Sequence, residues 1–192
     1  MSTDTPLSIT LAHRPVDRDE VLCLRRARRG DEAALAWIYQ RHARALHSLA
    51  WRLVGSPQAA EDIVQDAFMR LLGGFTRIDP ERPIGPWLRQ VVANLAIDRL
   101  RRDWRMIEDE GSVLREAPAR EPANHAEASG LLRHLTPQAR ALVWLNQVEG
   151  WSHQALGQRF GRSESWSKSI VSRALAQLRD IADHPGTPTH EH

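Results

Sequence analysis

Apolar side chains recur every three or four positions along most of this chain, which is the spacing of amphipathic helices. One such stripe, between residues 31 and 55, comprises Leu35, Ile38, Leu46, Leu49 and Leu53. No run alternates apolar and polar residues with the period of a strand, and no Asn-Gly hairpin turn occurs in the sequence. The pattern therefore predicts an all-α protein.

Capping residues and helix breakers divide this pattern into separate helices. An aspartate, serine or threonine precedes most of the apolar stripes, as expected for N-caps. These caps are Asp31, Ser56, Thr136, Ser152 and Ser163. The helices predicted on this basis cover 19–29, 31–55, 56–74, 86–104, 136–150, 152–161 and 163–183. Proline and glycine residues in the stretch 75–85 predict an ordered loop before the fourth helix.

The composition changes in the middle of the chain. Six acidic residues and only two arginines lie between residues 106 and 130, together with prolines, alanines and little apolar periodicity. Such a composition is typical of an interdomain linker. We therefore predict two small helical domains, over 19–105 and 128–185, joined by a flexible acidic linker over 106–127.

Charge and cysteine content restrict where the protein acts. The formal net charge is only +2, but nearly all the cations are arginines, and Lys168 is the single lysine. The lone cysteine, Cys23, excludes an internal disulfide and suits a reducing compartment. No apolar stretch approaches the roughly 20 residues that span a bilayer, and the amino terminus lacks a signal-peptide pattern. We expect a cytoplasmic protein without membrane insertion.

The last two predicted helices form a helix-turn-helix pattern. Gly157 permits the helices to approach closely, and Gly161 supplies the turn between them. Residues 159 to 179 include five basic side chains and one glutamate, which gives this segment a net charge of +4. The second helix of such a motif lies in the major groove, where arginine, lysine and serine contact bases or phosphates. The candidate duplex contacts are Ser165, Lys168, Ser169, Ser172 and Arg173. An ordinary helix pair with solvated charges is the alternative.

The third predicted helix has an acidic face opposite its apolar stripe, which comprises Ala60, Ile63, Val64, Ala67, Leu71 and Leu72. The residues of that face are Glu61, Asp62, Gln65, Asp66 and Met69. Asp62 and Asp66 are one turn apart, so their carboxylates are neighbours. Such a pair could hold a metal ion, dock a basic partner or simply be solvated. No second acidic or histidine cluster faces the first in the sequence pattern, so we expect no metal, no cofactor and no catalytic residues.

The fourth predicted helix ends in a basic segment suited to a phosphate backbone. Its polar positions include Asn94, Asp98, Arg99, Arg101 and Arg102. Asparagine has poor helix propensity, so its position in the middle of this helix suggests a base contact. A tolerated surface asparagine is the alternative, and Asp98 could pair with an arginine one turn farther along the helix.

Three strings resemble the second and fourth conserved regions of extracytoplasmic-function (ECF) sigma factors. They are SPQAAEDIVQDAFMRLL, IDPERPIGPWLRQVVANLAIDRLRR and LTPQARALVWLNQVEGWSHQALGQRFGRSESWSKSIVSRALAQLR. The resemblance covers about two thirds of the chain and keeps the family's order and spacing. It implies a transcription initiation factor without catalysis that binds the RNA polymerase core and promoter DNA. The resemblance implies that the factor contacts the coiled coil of the largest polymerase subunit and the flap. Members of this family are commonly bound by an anti-sigma factor, which is therefore a further expected partner.

The resemblance also assigns roles to the surfaces described above. The acidic face, with Asp62, Gln65 and Asp66, corresponds to the family's contact with the coiled coil. The loop from Phe75 to Pro86, with Asn94 and Asp98, corresponds to the part that melts the −10 promoter element and holds a flipped base, and the basic residues Arg99, Arg101 and Arg102 follow it. The candidate duplex contacts correspond to the part that recognises the −35 element.

Some positions depart from the family pattern. Ser167 and Arg162 replace small aliphatic residues, Trp166 replaces a small residue and Ile170 replaces a frequent arginine. Two rival functions stay open at this point. One is a helix-turn-helix repressor or activator with a helical sensor domain. The other is a helical metal-dependent enzyme that uses Glu61, Asp62 and Asp66.

Overall fold

A computed structural model of the chain describes residues 17–75, 78–110, 130–132 and 134–184. All regular secondary structure in these residues is helical, as predicted. The helices are α1 (Arg18–Ala27), α2 (Glu32–Val54), α3 (Pro57–Gly74), α4 (Ile84–Glu110), α5 (Pro137–Gln147), α6 (His153–Phe160) and α7 (Glu164–Asp183). We call α1–α4 the amino-terminal unit and α5–α7 the carboxy-terminal unit.

The predicted N-caps are confirmed. The side chain of Asp31 accepts a hydrogen bond from the N–H of Ala34 at 3.1 Å, and Ser163 accepts one from Trp166 at 3.1 Å. Ser56, Thr136 and Ser152 cap their helices in the same way. Each cap satisfies a backbone donor in the first turn that has no partner within its own helix.

Helix α4 is longer than the predicted helix over 86–104 at both ends. It begins at Ile84, two residues before Pro86, and ends at Glu110 rather than near Trp104. At its start the N–H of Ile84 donates to the buried carboxylate of Glu20, on α1, at 2.9 Å. At its end no proline or glycine interrupts the sequence before Gly111. The first residues of the predicted linker are therefore helical, and 111–127 lies outside the described residues.

The amino-terminal unit has its core between α2, α3 and α4, with α1 packed on α2. The apolar stripes predicted for these helices supply most of it, including Ile38 and Leu53 of α2 and Leu88 of α4. Leu72, which the predicted stripe of α3 included, is 44% exposed instead. The unit leaves the opposite face of α3 and one face of α4 available for other contacts.

The carboxy-terminal unit is a small core formed by α5, α6 and α7. Its most buried side chains include Leu142, Leu145 and Leu156. Ser167, where the resemblance led us to expect a small aliphatic residue, is fully buried, and its hydroxyl lies 3.1 Å from Nδ1 of His153. This hydrogen bond explains how a polar residue is accommodated at a packing position.

The two units pack directly against each other. Helix α5 contacts α2, helix α6 contacts α4, and one continuous hydrophobic cluster extends through both units. The guanidinium of Arg52 lies 4.7 Å from the centre of the Trp144 ring, and the rings of Trp104 and Phe160 stack with centroids 5.5 Å apart. Within the described residues, no helix combines the length and the apolar character needed to cross a membrane.

Candidate nucleic-acid and protein interfaces

The acidic face of α3 is exposed along its whole length, as predicted. Glu61, Asp62, Gln65 and Asp66 all point to solvent, and Met69 beside them is 65% exposed. Apolar residues on the other side of α3 fix its orientation, because they are buried against α2 and α4. The arrangement presents carboxylates and one apolar side chain on a rigid helix, which suits a basic protein surface that also offers an apolar contact.

The same carboxylates do not form part of a larger ligand cluster within the described residues. No group of three or more His, Cys, Asp or Glu side chains there is arranged to hold a metal ion. Asp62 instead lies 3.4 Å from the side-chain amide of Gln58, one turn earlier on the same helix.

The helix-turn-helix predicted from the sequence is formed by α6 and α7. Gly161 adopts a left-handed conformation with φ 67°, which allows the chain to reverse between the helices. A Cβ atom on Gly157 would lie 2.7 Å from the backbone oxygen of Ser163, so only glycine permits this close approach. Trp166 packs on Phe160 with centroids 5.6 Å apart and holds the start of α7 on α6.

The candidate duplex contacts share one exposed surface on α7. The side chains of Ser165, Lys168, Ser169, Ser172 and Arg173 are all exposed. Lys168 forms an ion pair with Glu164 at 2.7 Å, and this pair holds the pKa of the exposed Glu164 carboxyl below its ordinary value. Helix α7 thus presents basic and hydroxyl side chains on a surface that a DNA major groove could receive.

The candidate contacts on α4 have a different environment. Asn94, Asp98 and Arg101 are half-buried, whereas Arg99 and Arg102 are exposed. The cause is Arg159, the penultimate residue of α6. Its Nε donates to Oδ1 of Asn94 at 2.7 Å, and its Nη2 lies 2.9 Å from Oδ2 of Asp98. Asp98 pairs with Arg159 of the other unit, a partner that the sequence interpretation did not consider.

Three residues that shape these surfaces were missed in the sequence analysis. Arg159 engages α4, Glu149 accepts from Arg89 of α4, and Glu20 caps the start of α4. Each partner lies about 60 residues away along the chain, so no local spacing signals the contact. In the sequence each of the three is simply a charged residue, and most charged residues are solvated, so residue type alone does not mark them.

Two stretches of the chain match known family models. Residues 38–106 match sigma-70 region 2, and residues 126–178 match sigma-70, region 4. The first stretch contains most of α2 and all of α3, and the second contains α5, α6 and most of α7. The acidic face and the α4 residues therefore lie in one matched region, and the helix-turn-helix lies in the other.

Curated relatives agree with these matches. The chain is 33% identical over 169 residues to the ECF RNA polymerase sigma factor SigE of Mycolicibacterium smegmatis, covering 81% of this chain but only 65% of SigE. It is 32% identical to the RNA polymerase sigma factor NccH of Alcaligenes xylosoxydans xylosoxydans, covering 83% of this chain and 92% of NccH. It thus spans about two thirds of SigE and nearly all of NccH.

A solved structure supports the fold. The sigma factor RpoE of Bartonella quintana, determined in complex with the anti-sigma factor NepR, superposes with a TM-score of 0.53 at 24% identity. The superposition covers 77% of this chain and 96% of RpoE. Because both sigma-70 regions are present in order, and the relatives SigE and NccH are 33% and 32% identical with 92% of NccH covered, the chain belongs to the ECF group of RNA polymerase sigma factors, which are transcription initiation factors and not enzymes.

Proposed function

We propose that three surfaces of this sigma factor divide the work of initiation. The acidic face of α3 docks on the coiled coil of the largest polymerase subunit. The loop before α4, with Asn94, Asp98, Arg99, Arg101 and Arg102, receives the unpaired −10 strand. The exposed face of α7, with Ser165, Lys168, Ser169, Ser172 and Arg173, contacts the −35 duplex. The corresponding domains are residues 19–105 and 128–185, joined by the linker over 106–127.

The observation that carries this assignment is the exposure of the acidic face on a helix whose other side is fully packed. The face has no structural role in the described fold, because its side chains point away from the core. Carboxylates on the exposed face of a packed helix give electrostatic specificity for a basic partner and disfavour acidic ones. Neither rival function requires such a face next to a basic helix and a helix-turn-helix.

The α4 and α7 surfaces suit different forms of DNA. Helix α7 stands out from its unit with exposed arginine, lysine and serine, which suits an intact major groove. Asn94 and Asp98 offer amide and carboxylate groups in a half-buried site, which suits the edge of a base removed from the stack. The arginines that follow them on α4 would bind the neighbouring phosphates.

The setting of this function is the compartment that contains RNA polymerase and promoter DNA. We therefore place the protein in the cytoplasm. An anti-sigma factor is a further proposed partner, because the similar RpoE of Bartonella quintana was solved with one. Such a partner would act by covering the acidic face or the DNA-binding surfaces.

The test of the docking surface is the double variant Asp62→Arg with Asp66→Arg. Reversal of both charges places like charges opposite each other, so we expect binding to core polymerase to weaken by about 100-fold or more. Core association is measured by fluorescence anisotropy of labelled protein, and run-off transcription on a promoter library reports activity. Glu32→Arg with Asp180→Arg, two exposed acidic positions outside the three proposed surfaces, is the charge-matched control. Normal assembly and transcription by the α3 variant would contradict the assignment.

A further inference from the structure

Helix α1 carries a carboxylate on the face that packs against the rest of the amino-terminal unit. Its buried residues are Glu20, Leu24 and Ala27, which have the spacing of a core-facing stripe. Glu20 is only 6% exposed. An aliphatic side chain would fill such a position without the cost of removing a carboxylate from water. The contacts of Glu20 therefore indicate what this carboxylate contributes.

The Glu20 carboxylate binds the first residue of α4. Its Oε1 accepts a hydrogen bond from the N–H of Ile84 at 2.9 Å. The helices α2, α3 and α5–α7 each begin with a local side-chain cap, but Pro83, directly before α4, has no side chain that could accept such a bond. A carboxylate at a helix N-terminus also interacts favourably with the helix dipole. Glu20 thus acts as a cap supplied from another helix.

His42 of α2 borders the same contact. Its Nε2 lies 3.5 Å from Oε1 of Glu20, and its side chain is 16% exposed. A Cβ atom on Gly85 would lie 3.4 Å from Cε1 of His42, so the ring also packs closely on the first turn of α4. The start of α4 is therefore held between side chains of α1 and α2.

A second residue of α1 contacts the loop before α4, which the structure describes over 78–83. Arg25 forms an ion pair with Glu81, and both side chains are more than half exposed. Glu20 and Arg25 are five positions apart on α1, about 7.5 Å along the helix axis. Residues 81–84 therefore run alongside α1 and are held at both ends of that stretch.

The start of α4 relates the loop to the polar site on the same helix. Asn94 follows Ile84 by ten residues, about 15 Å along the helix. Because the loop joins α4 at Ile84, a contact that fixes Ile84 also fixes where the loop ends relative to Asn94 and Asp98. Without an acceptor for Ile84, the first turn of α4 would fray and the loop would lose this fixed position.

We propose that α1 is a positioning element of the −10 site, in which Glu20 and Arg25 hold the loop before α4 in the conformation that receives the unpaired strand. Helix α1 precedes the stretch 38–106 that matches sigma-70 region 2, so the family model does not cover it. The inference rests on the proposed function of the loop and α4 and adds to it the residues that preorganise the site. A preorganised loop binds more tightly, because apparent affinity falls with the fraction of molecules in other conformations.

The test uses holoenzyme assembled from core polymerase and each variant of the full chain. Fluorescence anisotropy measures binding to a labelled single strand with the non-template −10 sequence of an active promoter, and to a scrambled strand. Glu20→Leu removes the acceptor for Ile84, and we expect about tenfold weaker binding of the matched strand, with little change on the scrambled one. Glu20→Gln keeps an acceptor and should bind the matched strand within about twofold of wild type.

Arg25→Ala tests the second contact without altering the core, because its ion pair with Glu81 is exposed. We expect about threefold weaker binding of the matched strand. Arg26→Ala is the matched control, since this neighbouring arginine pairs with Asp31 and not with the loop. It removes the same charge and should bind the matched strand more tightly than Arg25→Ala does.

Core association and −35 duplex binding should be unchanged in all four variants, which distinguishes positioning of the loop from a general loss of folding. Wild-type binding of the matched strand by Glu20→Leu, or equal losses in Glu20→Leu and Glu20→Gln, would overturn the inference. If Glu20→Leu does not fold, equal affinities of Arg25→Ala and Arg26→Ala would overturn it. Failure of the proposed function would show separately, as wild-type binding of the matched strand by Asn94→Ala holoenzyme.

Discussion

The strand-binding surface of α4 and the duplex-binding surface of α7 use similar residue types but differ in what they contact. Arginine and small polar side chains dominate both. On α7 they are exposed and, within the part of the chain that the structure describes, make local contacts such as the pair of Lys168 with Glu164. On α4, Asn94 and Asp98 are engaged by Arg159 from the other unit. Composition therefore identifies a surface that can bind DNA, whereas tertiary contacts determine whether its side chains are exposed or engaged.

The difference follows from how each helix is held. Helix α7 has one side against α5 and α6, and its other side has no neighbour in the described structure. Helix α4 packs against α2, α3 and α6, so Asn94 and Asp98 lie between the two units.

The largest effect that separates the two surfaces should come from Asn94→Ala. Extruding a base from the duplex costs a few kcal/mol, which contacts in the binding site must offset. A site without the Asn94 side chain makes fewer such contacts. We expect about 3 kcal/mol less stabilisation of the open complex, close to a 100-fold loss. Permanganate footprinting of the holoenzyme measures the opening, and anisotropy on −35 duplex should be unchanged. Normal opening would show that Asn94 does not hold a base.

Arg173→Ala should produce the complementary defect. If Arg173 makes a bidentate base contact, binding to the −35 duplex weakens by about 1–3 kcal/mol and sequence preference relaxes. If it contacts phosphate alone, affinity falls on all sequences and the salt slope becomes shallower by about one. Titrations on matched and scrambled duplexes at several salt concentrations distinguish these cases. Unchanged affinity and unchanged salt slope would exclude α7 from the groove.

The smallest expected effect concerns the support of α4 rather than its DNA contacts. His42, whose Nε2 lies 3.5 Å from Glu20, and the N–H of Ile84 hold the pKa of the Glu20 carboxyl below its ordinary value in spite of burial. Glu20→Gln keeps an acceptor for Ile84 but loses the charge. We expect a decrease in the free energy of unfolding of about 1 kcal/mol at neutral pH.

The pH dependence of that decrease has a definite sign. A carboxyl whose pKa is lowered in the folded state stabilises the fold above its unfolded pKa, near 4.5, and loses this contribution as the pH falls through the folded value. The difference between wild type and Glu20→Gln in urea titrations should therefore be constant near neutrality and shrink below pH 4.5. Glu81→Gln, in an exposed ion pair with Arg25, is the control and should change stability little. A difference that persists in acid would refute this account of Glu20.

The helices and their caps could be predicted from the sequence because both depend on neighbouring residues. Asp31 and Ser163 cap helices through contacts three residues away, and Gly161 turns the chain where the apolar pattern ends. The helix-turn-helix and the acidic face follow from the same local periodicity. Exposure of the candidate residues on α3 and α7 could be predicted for the same reason.

The state of the α4 surface could not be predicted in this way. Asn94 and Asp98 contact Arg159 across more than 60 residues of sequence, and the start of α4 depends on Glu20 at a similar distance. Arg159 and Glu20 are residue types that also occupy many solvated positions nearby, so their type does not reveal these contacts. Only the packing of α6 on α4 brings these groups together.

The most direct test of the division between α4 and α7 is run-off transcription on promoters whose −10 region is already unpaired by mismatches. The account predicts that a pre-opened promoter restores much of the activity of Asn94→Ala holoenzyme, because the cost of extruding the base has been removed. The same promoter should leave the Arg173→Ala defect unchanged, since recognition of the −35 duplex is still required. Rescue of both variants, or of neither, would contradict the assignment of strand capture to α4 and duplex recognition to α7.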